Sequence, residues 1–240
     1  MTEKKPNNKN PRGRPPGPSS KGRKTETHLF ETAIALFRER GYEATTLRSI
    51  AAQAGVSVGL LYRYFPNKRA VVLALYTRLT DAFVVGVALE SGPWRTRVLS
   101  ALRESLAVLG PYRPCLRALV PTLVSAEGQG VLSTETGFSR DRVAEVFVRA
   151  VVGAEDAPLG ELGAALGRLC YTAHLSLILW WLLDQSSAQR ATEALLSRIE
   201  ALLPMATLAL GLPGVSSQVL SVDTLVGEAL FGLPPSQTDL

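Results

Sequence analysis

The 240-residue chain is 46% apolar and 20% charged, with a formal charge of +5 and a pI near 9.4. That balance excludes a staple-dependent mini-protein and a wholly disordered chain, and it allows one large domain or two small ones. The two cysteines, Cys115 and Cys170, stand outside any C-x-x-C or C-x-x-H spacing, so neither a disulfide framework nor a zinc module is expected, and no metal or cofactor is expected.

Residues 1–24 lack the apolar core of a secretion signal, and the longest uncharged apolar run, Leu169 to Leu183, falls short of the roughly 18 residues a bilayer span needs. A cytoplasmic protein without a membrane partner is the expectation. The charge is unevenly placed. Residues 1–24 carry eight Lys/Arg and one Glu, a net +7. Residues 25–80 carry seven Lys/Arg and four Asp/Glu, a net +3, and residues 81–240 carry eleven and sixteen, a net −5. Positive charge gathered in the first third points to an anionic partner, with nucleic acid ahead of an anionic membrane surface.

Met1 to Lys24 holds five prolines and three glycines and reads as a disordered basic arm. From Thr25 the apolar spacing turns helical, with Phe30, Ala33, Ile34 and Phe37 on one face and Gly41 as a left-handed stop. Thr46 is placed to cap a second helix with Leu47, Ile50, Ala51 and Ala54 inward, closed by Gly55. A third spans Val58 to Phe65. Pro66 ends it, and Asn67 caps a fourth from Lys68 to about Leu89. Further helices are expected near 94–109, 112–125, 138–152, 159–184 and 187–210, with loops at Thr134–Gly137 and Gly153–Pro158 and a weakly helical or loose tail over 213–240. The fold class is all-α.

Helix, glycine turn, helix in Thr46 to Phe65 is the arrangement that lays one short helix in a DNA major groove. On the wheel Val58, Leu61, Tyr62 and Phe65 cluster on one side, and Gly59, Leu60, Arg63 and Tyr64 on the other. Gly59 allows close backbone approach, Arg63 can donate a fork to guanine, and Leu60 can touch a thymine methyl. Periodicity alone fits a small helical corner of an unrelated bundle equally well.

The stretch from Phe30 to Tyr76, FETAIALFRERGYEATTLRSIAAQAGVSVGLLYRYFPNKRAVVLALY, resembles the DNA-binding domain of TetR-type transcriptional regulators. The resemblance implies that Arg48, Val58, Gly59, Leu60 and Arg63 face bases, and that Thr46, Tyr62, Tyr64 and Lys68 touch phosphate. It also implies organisation as a basic arm (1–24), a three-helix DNA-binding domain (25–80), a larger helical ligand-binding and dimerisation domain (81–212) and a tail (213–240). The implied function is a ligand-released repressor that binds double-stranded DNA as a homodimer on a palindromic operator. Lys68 and Arg69 in the first turn of a helix oppose its dipole, and a nearby phosphate would reverse that cost.

In the arm, Arg12, Gly13 and Arg14 are similar to the core of an AT-hook, where two arginines flank a glycine in a narrow A·T minor groove. Gly55 to Gly59 also fits G-x-S-x-G, but a hydrolase elbow needs a preceding strand, so Ser57 is not expected to be catalytic and no enzyme is expected. His28 reads as a surface or capping group. Tyr171, His174, Ile178 and Trp181 share one helix face and are the candidate pocket for a small-molecule effector, with Tyr112, Arg113 and Cys115 behind them. The small residues Gly160, Gly163, Ala164 and Gly167 permit close helix approach, either at a dimer seam or inside one chain. A basic interaction module for membranes or proteins is the competing class, and a serine hydrolase the third.

Overall fold

Leu29, Phe30, Ala33, Leu36 and Phe37 form the buried stripe of α1, Ser20–Arg40, in a computed structural model that describes residues 20–123 and 134–233. Arg12, Gly13 and Arg14 lie outside the described residues. Helix α1 starts at Ser20 rather than Thr25, so five residues expected in the arm are helical. Once the buried stripe fixes the helix, each upstream residue adds a hydrogen bond for little further ordering cost.

Gly41 stops α1 at φ +84° and donates its N–H to the Phe37 carbonyl at 3.1 Å. Thr46 and Ser49 form a reciprocal capping box on α2, Leu47–Gln53. Gly55, at φ +66°, turns the chain into α3, Val58–Tyr64, which Ser57 caps by accepting the Leu60 N–H at 3.2 Å. Asn67 accepts from the Ala70 N–H at 2.8 Å and opens α4, Lys68–Gly86. The body follows as α5 (Trp94–Leu109), a short 3-10 turn, α6 (Arg113–Leu123), α7 (Gly137–Val152), α8 (Glu161–Leu183), α9 (Arg190–Leu210) and α10 (Val215–Phe231). No strand occurs among the described residues.

Two cores hold these helices. The first joins Leu29, Phe37, Ile50, Leu61 and Leu75 of α1–α4 to Leu119 of α6 and Trp181 of α8, so the N-terminal unit is welded to the body rather than tethered to it. Each such buried side chain is worth roughly 1.5–3 kcal/mol of transfer free energy. The second core gathers Phe83, Trp94, Val98, Phe147, Tyr171 and Leu177.

Helix α5 begins at Pro93, which has no capping side chain. Asp156, from the loop after α7, supplies the cap by accepting the Trp94 N–H at 2.6 Å. Arg97 reaches the other way, donating to the carbonyls of Ala150 (2.8 Å), Arg149 (3.0 Å) and Glu90 (2.6 Å). The end of α7 thereby gains partners for carbonyls that no further helical turn can satisfy.

The structure decides three points that the sequence leaves open. The small-residue stripe is used within the chain: a Cβ on Gly167 would stand 2.5 Å from the Val148 Cα, and one on Gly163 would stand 2.9 Å from the Pro158 carbonyl. The tail, read as weakly helical or loose, contains α10, which Arg168 clamps by a two-pronged pair with Asp223, Nε to Oδ2 at 3.0 Å and the terminal nitrogen to Oδ2 at 2.5 Å. Pro213 and Pro234 stand outside the run Val215–Phe231 and bound it rather than interrupt it. Tyr62 is about half exposed, at 51%, rather than turned inward with Leu61.

Helix α8 is long and apolar enough to cross a membrane by length and composition. Here it is the central helix of the body, with Tyr171, His174, Leu177 and Trp181 buried.

Candidate nucleic-acid interface and ligand cavity

Leu61 and Phe65 anchor α3 to the core, which leaves its opposite side to solvent. Gly59 and Arg63 are exposed there, as is Arg48 on α2, and Leu60 is part-exposed. Open space surrounds the position a Gly59 Cβ would take, so an approaching groove would meet backbone. Val58 is half-buried and packs on the core, because it shares the side of α3 occupied by Leu61 and Phe65. It is the implied base-facing residue that the structure turns furthest from solvent.

Of the implied phosphate contacts, Thr46 is exposed. Its hydroxyl oxygen accepts from Ser49 N at 3.1 Å, leaving the O–H to donate outward. Tyr62 presents its ring to solvent, and Tyr64 packs partly on the core. Lys68 already serves the protein. Its ammonium donates to the Tyr42 carbonyl at 2.7 Å and the Glu43 carbonyl at 3.3 Å, and lies 4.3 Å from the centroid of the Tyr42 ring. One of its three donors is left for an anion. Arg69 pairs with Glu135 at 2.9 Å. The two cations at the start of α4 thus have intramolecular reasons to be there, and a phosphate is not needed to explain them.

The His28 ring hydrogen-bonds the Ala54 carbonyl at 3.2 Å and pins α1 beside the turn between α2 and α3. Lys21 and Lys24, one to two turns upstream and exposed, therefore sit on a rigid helix next to the reader. Ser57 caps α3, and helix α2 occupies the place where a nucleophile elbow needs a strand.

A cavity of about 390 Å³ opens inside the body, lined from α4, α5, α6, α7, α8 and α10. Tyr171, His174 and Ile178 line it. Trp181 does not: Leu182, one residue further along α8, lines the cavity, whereas Trp181 stands at the edge of that face, with the Arg113 guanidinium 5.3 Å from its ring. Arg113 also donates to the Trp181 and Asp184 carbonyls, at 2.8 and 2.6 Å, closing the end of α8.

Sequence reasoning missed four lining residues that shape the cavity: Tyr76, Phe83, Ser105 and Arg140. Tyr76 ends the stretch with regulator resemblance, so only its place one turn before Thr80 on α4 signalled an inward side chain. His174 is 3% exposed. Its Nε2 and the Ser105 hydroxyl are 2.7 Å apart, and its ring stacks near Phe147 at 4.8 Å.

Burial away from water pushes the His174 imidazole down to about 3, so the ring is neutral at ordinary pH. The unfolded chain protonates this group near pH 6.5, so the stability it confers is complete above that pH and is lost as pH falls towards 3. The expected slope is about 1.4 kcal/mol per pH unit. In urea melts between pH 7 and 5, His174→Gln should show a shallower acid loss than the parent chain, and parallel profiles would contradict this. Burial also raises both thiols, Cys115 to about 11 and Cys170 to about 12, which keeps them protonated and removes the low-pKa environment a redox sensor needs.

A three-helix reader, glycine-turned and joined to a helical body with an apolar cavity, defines a helix-turn-helix protein. Residues 29–75 match the family described as bacterial regulatory proteins, tetR family. The HTH-type transcriptional repressor KstR2 of Rhodococcus jostii is 42% identical over 105 residues, 44% of this chain and 43% of the relative. The repressor KstR of the same organism is 26% identical over 179 residues, 73% and 81% of the two chains. An uncharacterized HTH-type regulator of Bacillus subtilis, YuxN, is 33% identical over 87 residues, and the match spans 28% of its length. The chain thus spans less than half the length of two of these three relatives. A tetR-family regulator from Streptomyces coelicolor has the same fold, with a TM-score of 0.60 at 22% identity over 85% of this chain and 97% of that one. Residues 29–75 thus form a DNA-binding domain of the tetR-family type.

Proposed function

We propose that the chain is a cytoplasmic, homodimeric transcriptional repressor, with no enzymatic activity, that binds a palindromic operator through α3 and is released by a small molecule in the body cavity. The observation that carries this reading is the continuity of α4. Its first turns, through Val71 and Leu75, belong to the core of the DNA reader, and its later residues Tyr76, Leu79, Thr80 and Phe83 line the cavity. A ligand that displaces those residues moves the helix on which the reader is mounted. The release follows as a population shift: a ligand that binds the DNA-incompetent state more tightly lowers operator affinity by that same ratio.

Trp180 and Leu183 on α8, with Leu202, Met205 and Leu208 on α9, are exposed apolar residues, and they support a dimer built on these two helices. Ser57 and Thr46, as helix caps, have structural duties in the reader, and Arg48 and Arg63 carry its free positive face. Selection of bound duplexes from a random pool tests the reading. It should return a palindrome with half-sites about one helical turn, roughly 10 bp, or a multiple apart, and an enriched site without twofold symmetry would contradict the dimer.

A further inference from the structure

The cavity lining is mainly apolar in surface, and two pairs of its polar side chains on α4 and α8 contrast. Thr172 and Ser176 spend their hydroxyls on the Arg168 and Thr172 carbonyls of their own helix, at 3.2 and 3.3 Å. Tyr76 and His174 differ: the Tyr76 hydroxyl and the His174 Nδ1 are buried with no hydrogen-bond partner among the described residues. A buried polar atom without a partner is destabilising and rare in folded proteins. Here two of them belong to residues, on α4 and α8, that line the same cavity.

From this we infer that the effector is an uncharged, chiefly apolar molecule carrying one hydroxyl group, which Tyr76 and His174 bind together. The inference rests on the reading of this cavity as the effector site. Both binding groups are neutral, since burial holds the Tyr76 phenol protonated and the imidazole unprotonated. The phenol donates. The direction of the bond between Ser105 and His174 Nε2 sets whether Nδ1 carries a proton or a lone pair. A ligand hydroxyl meets either case, because it accepts from Tyr76 while also accepting from, or donating to, Nδ1. A ketone meets only the first.

Charge is selected against. Among the described residues the lining contains no Asp or Glu, and Arg140 is its one cation. Arg140 on α7 is already engaged, 3.5 Å from Asp141 and 5.2 Å from the centroid of the Phe231 ring. A carboxylate at Tyr76 and His174 would be buried without an opposite charge.

The test uses flexible ten-carbon probes, which adapt to the cavity's shape, titrated calorimetrically into the full chain. Decan-1-ol should bind at least about 10-fold more tightly than decanoate. Tyr76→Phe should weaken decan-1-ol about 2- to 12-fold, the span of one net hydrogen bond, leave decane binding unchanged, and raise the melting temperature of the free protein. A purely structural Tyr76 would lower both affinity and melting temperature. Decanoate binding as tightly as decan-1-ol, decan-2-one binding more tightly than the alcohol, or decan-1-ol affinity unmoved in Tyr76→Phe would each overturn the assignment. Operator affinity measured in the same titrations separates the two claims. Release by decanoate keeps the effector reading and overturns the hydroxyl. Tyr76-dependent decan-1-ol binding with unaltered operator affinity keeps the hydroxyl site and defeats the effector reading. Binding of no probe defeats both.

Discussion

Gly167→Ala should lower the stability of the chain by about 3 kcal/mol, the upper part of the range for overpacked cores. The new Cβ would lie 2.5 Å from the Val148 Cα, 3.0 Å from the Val148 N and 3.1 Å from the Phe147 carbonyl oxygen. All three are backbone atoms, so no side chain can rotate away, and α7 and α8 must separate. The cavity is lined from both helices. For a domain of this size a loss of about 3 kcal/mol corresponds to a fall of roughly 6–12 °C in melting temperature. Gly59→Ala is the control, since nothing stands within 4 Å of its added Cβ and alanine favours a helix interior over glycine. A melting temperature for Gly167→Ala within 2 °C or so of the parent, on the scale of about 2–4 °C per kcal/mol, would mean that α7 and α8 are not in this contact.

The second large effect separates the two sides of α3. Leu61 is fully buried, and Leu61→Ala should cost about 2–5 kcal/mol of stability, with operator binding lost because the reader unfolds. Arg63 is exposed two residues later. Arg63→Ala should leave the melting temperature unchanged and cost about 1–3 kcal/mol of operator affinity, roughly 5- to 150-fold, with relaxed preference at one base position. The two variants thus dissociate folding from recognition within a seven-residue helix. Equal effects of both on melting temperature, or an Arg63→Ala variant that binds the selected operator like the parent, would show that α3 does not read bases through this side.

The reader was legible because its signals are local. Gly41, Thr46, Gly55, Asn67 and the 3.6-residue spacing of Phe30, Ala33 and Phe37 act within a turn or two of themselves, and each forms the stop, cap or buried face its chemistry dictates. The body was legible as helices but not as contacts. Tyr171, His174 and Ile178 share a face of α8 by spacing alone and do line the cavity, whereas Trp181, at the edge of that face, packs into the core with α6 and Arg113. Nothing in the sequence around Gly167 tells whether its partner is another copy or α7, because the partner, Val148, is nineteen residues away across a loop. Tyr76 and Ser105 acquire meaning only when α4, α5 and α8 converge. The intramolecular partners of Lys68 were not legible either, since the carbonyls of Tyr42 and Glu43 come from a turn about 25 residues upstream.

The central claim is that one helix, α4, couples the body cavity to the DNA reader. Its most direct measurement is operator affinity of the full chain against the concentration of a probe that the free protein binds, with decan-1-ol the first choice. Linkage requires the two curves to agree. Operator affinity should fall and level off over the same concentrations at which the probe fills the free protein. Full occupancy of the cavity with operator affinity unchanged would contradict the coupling.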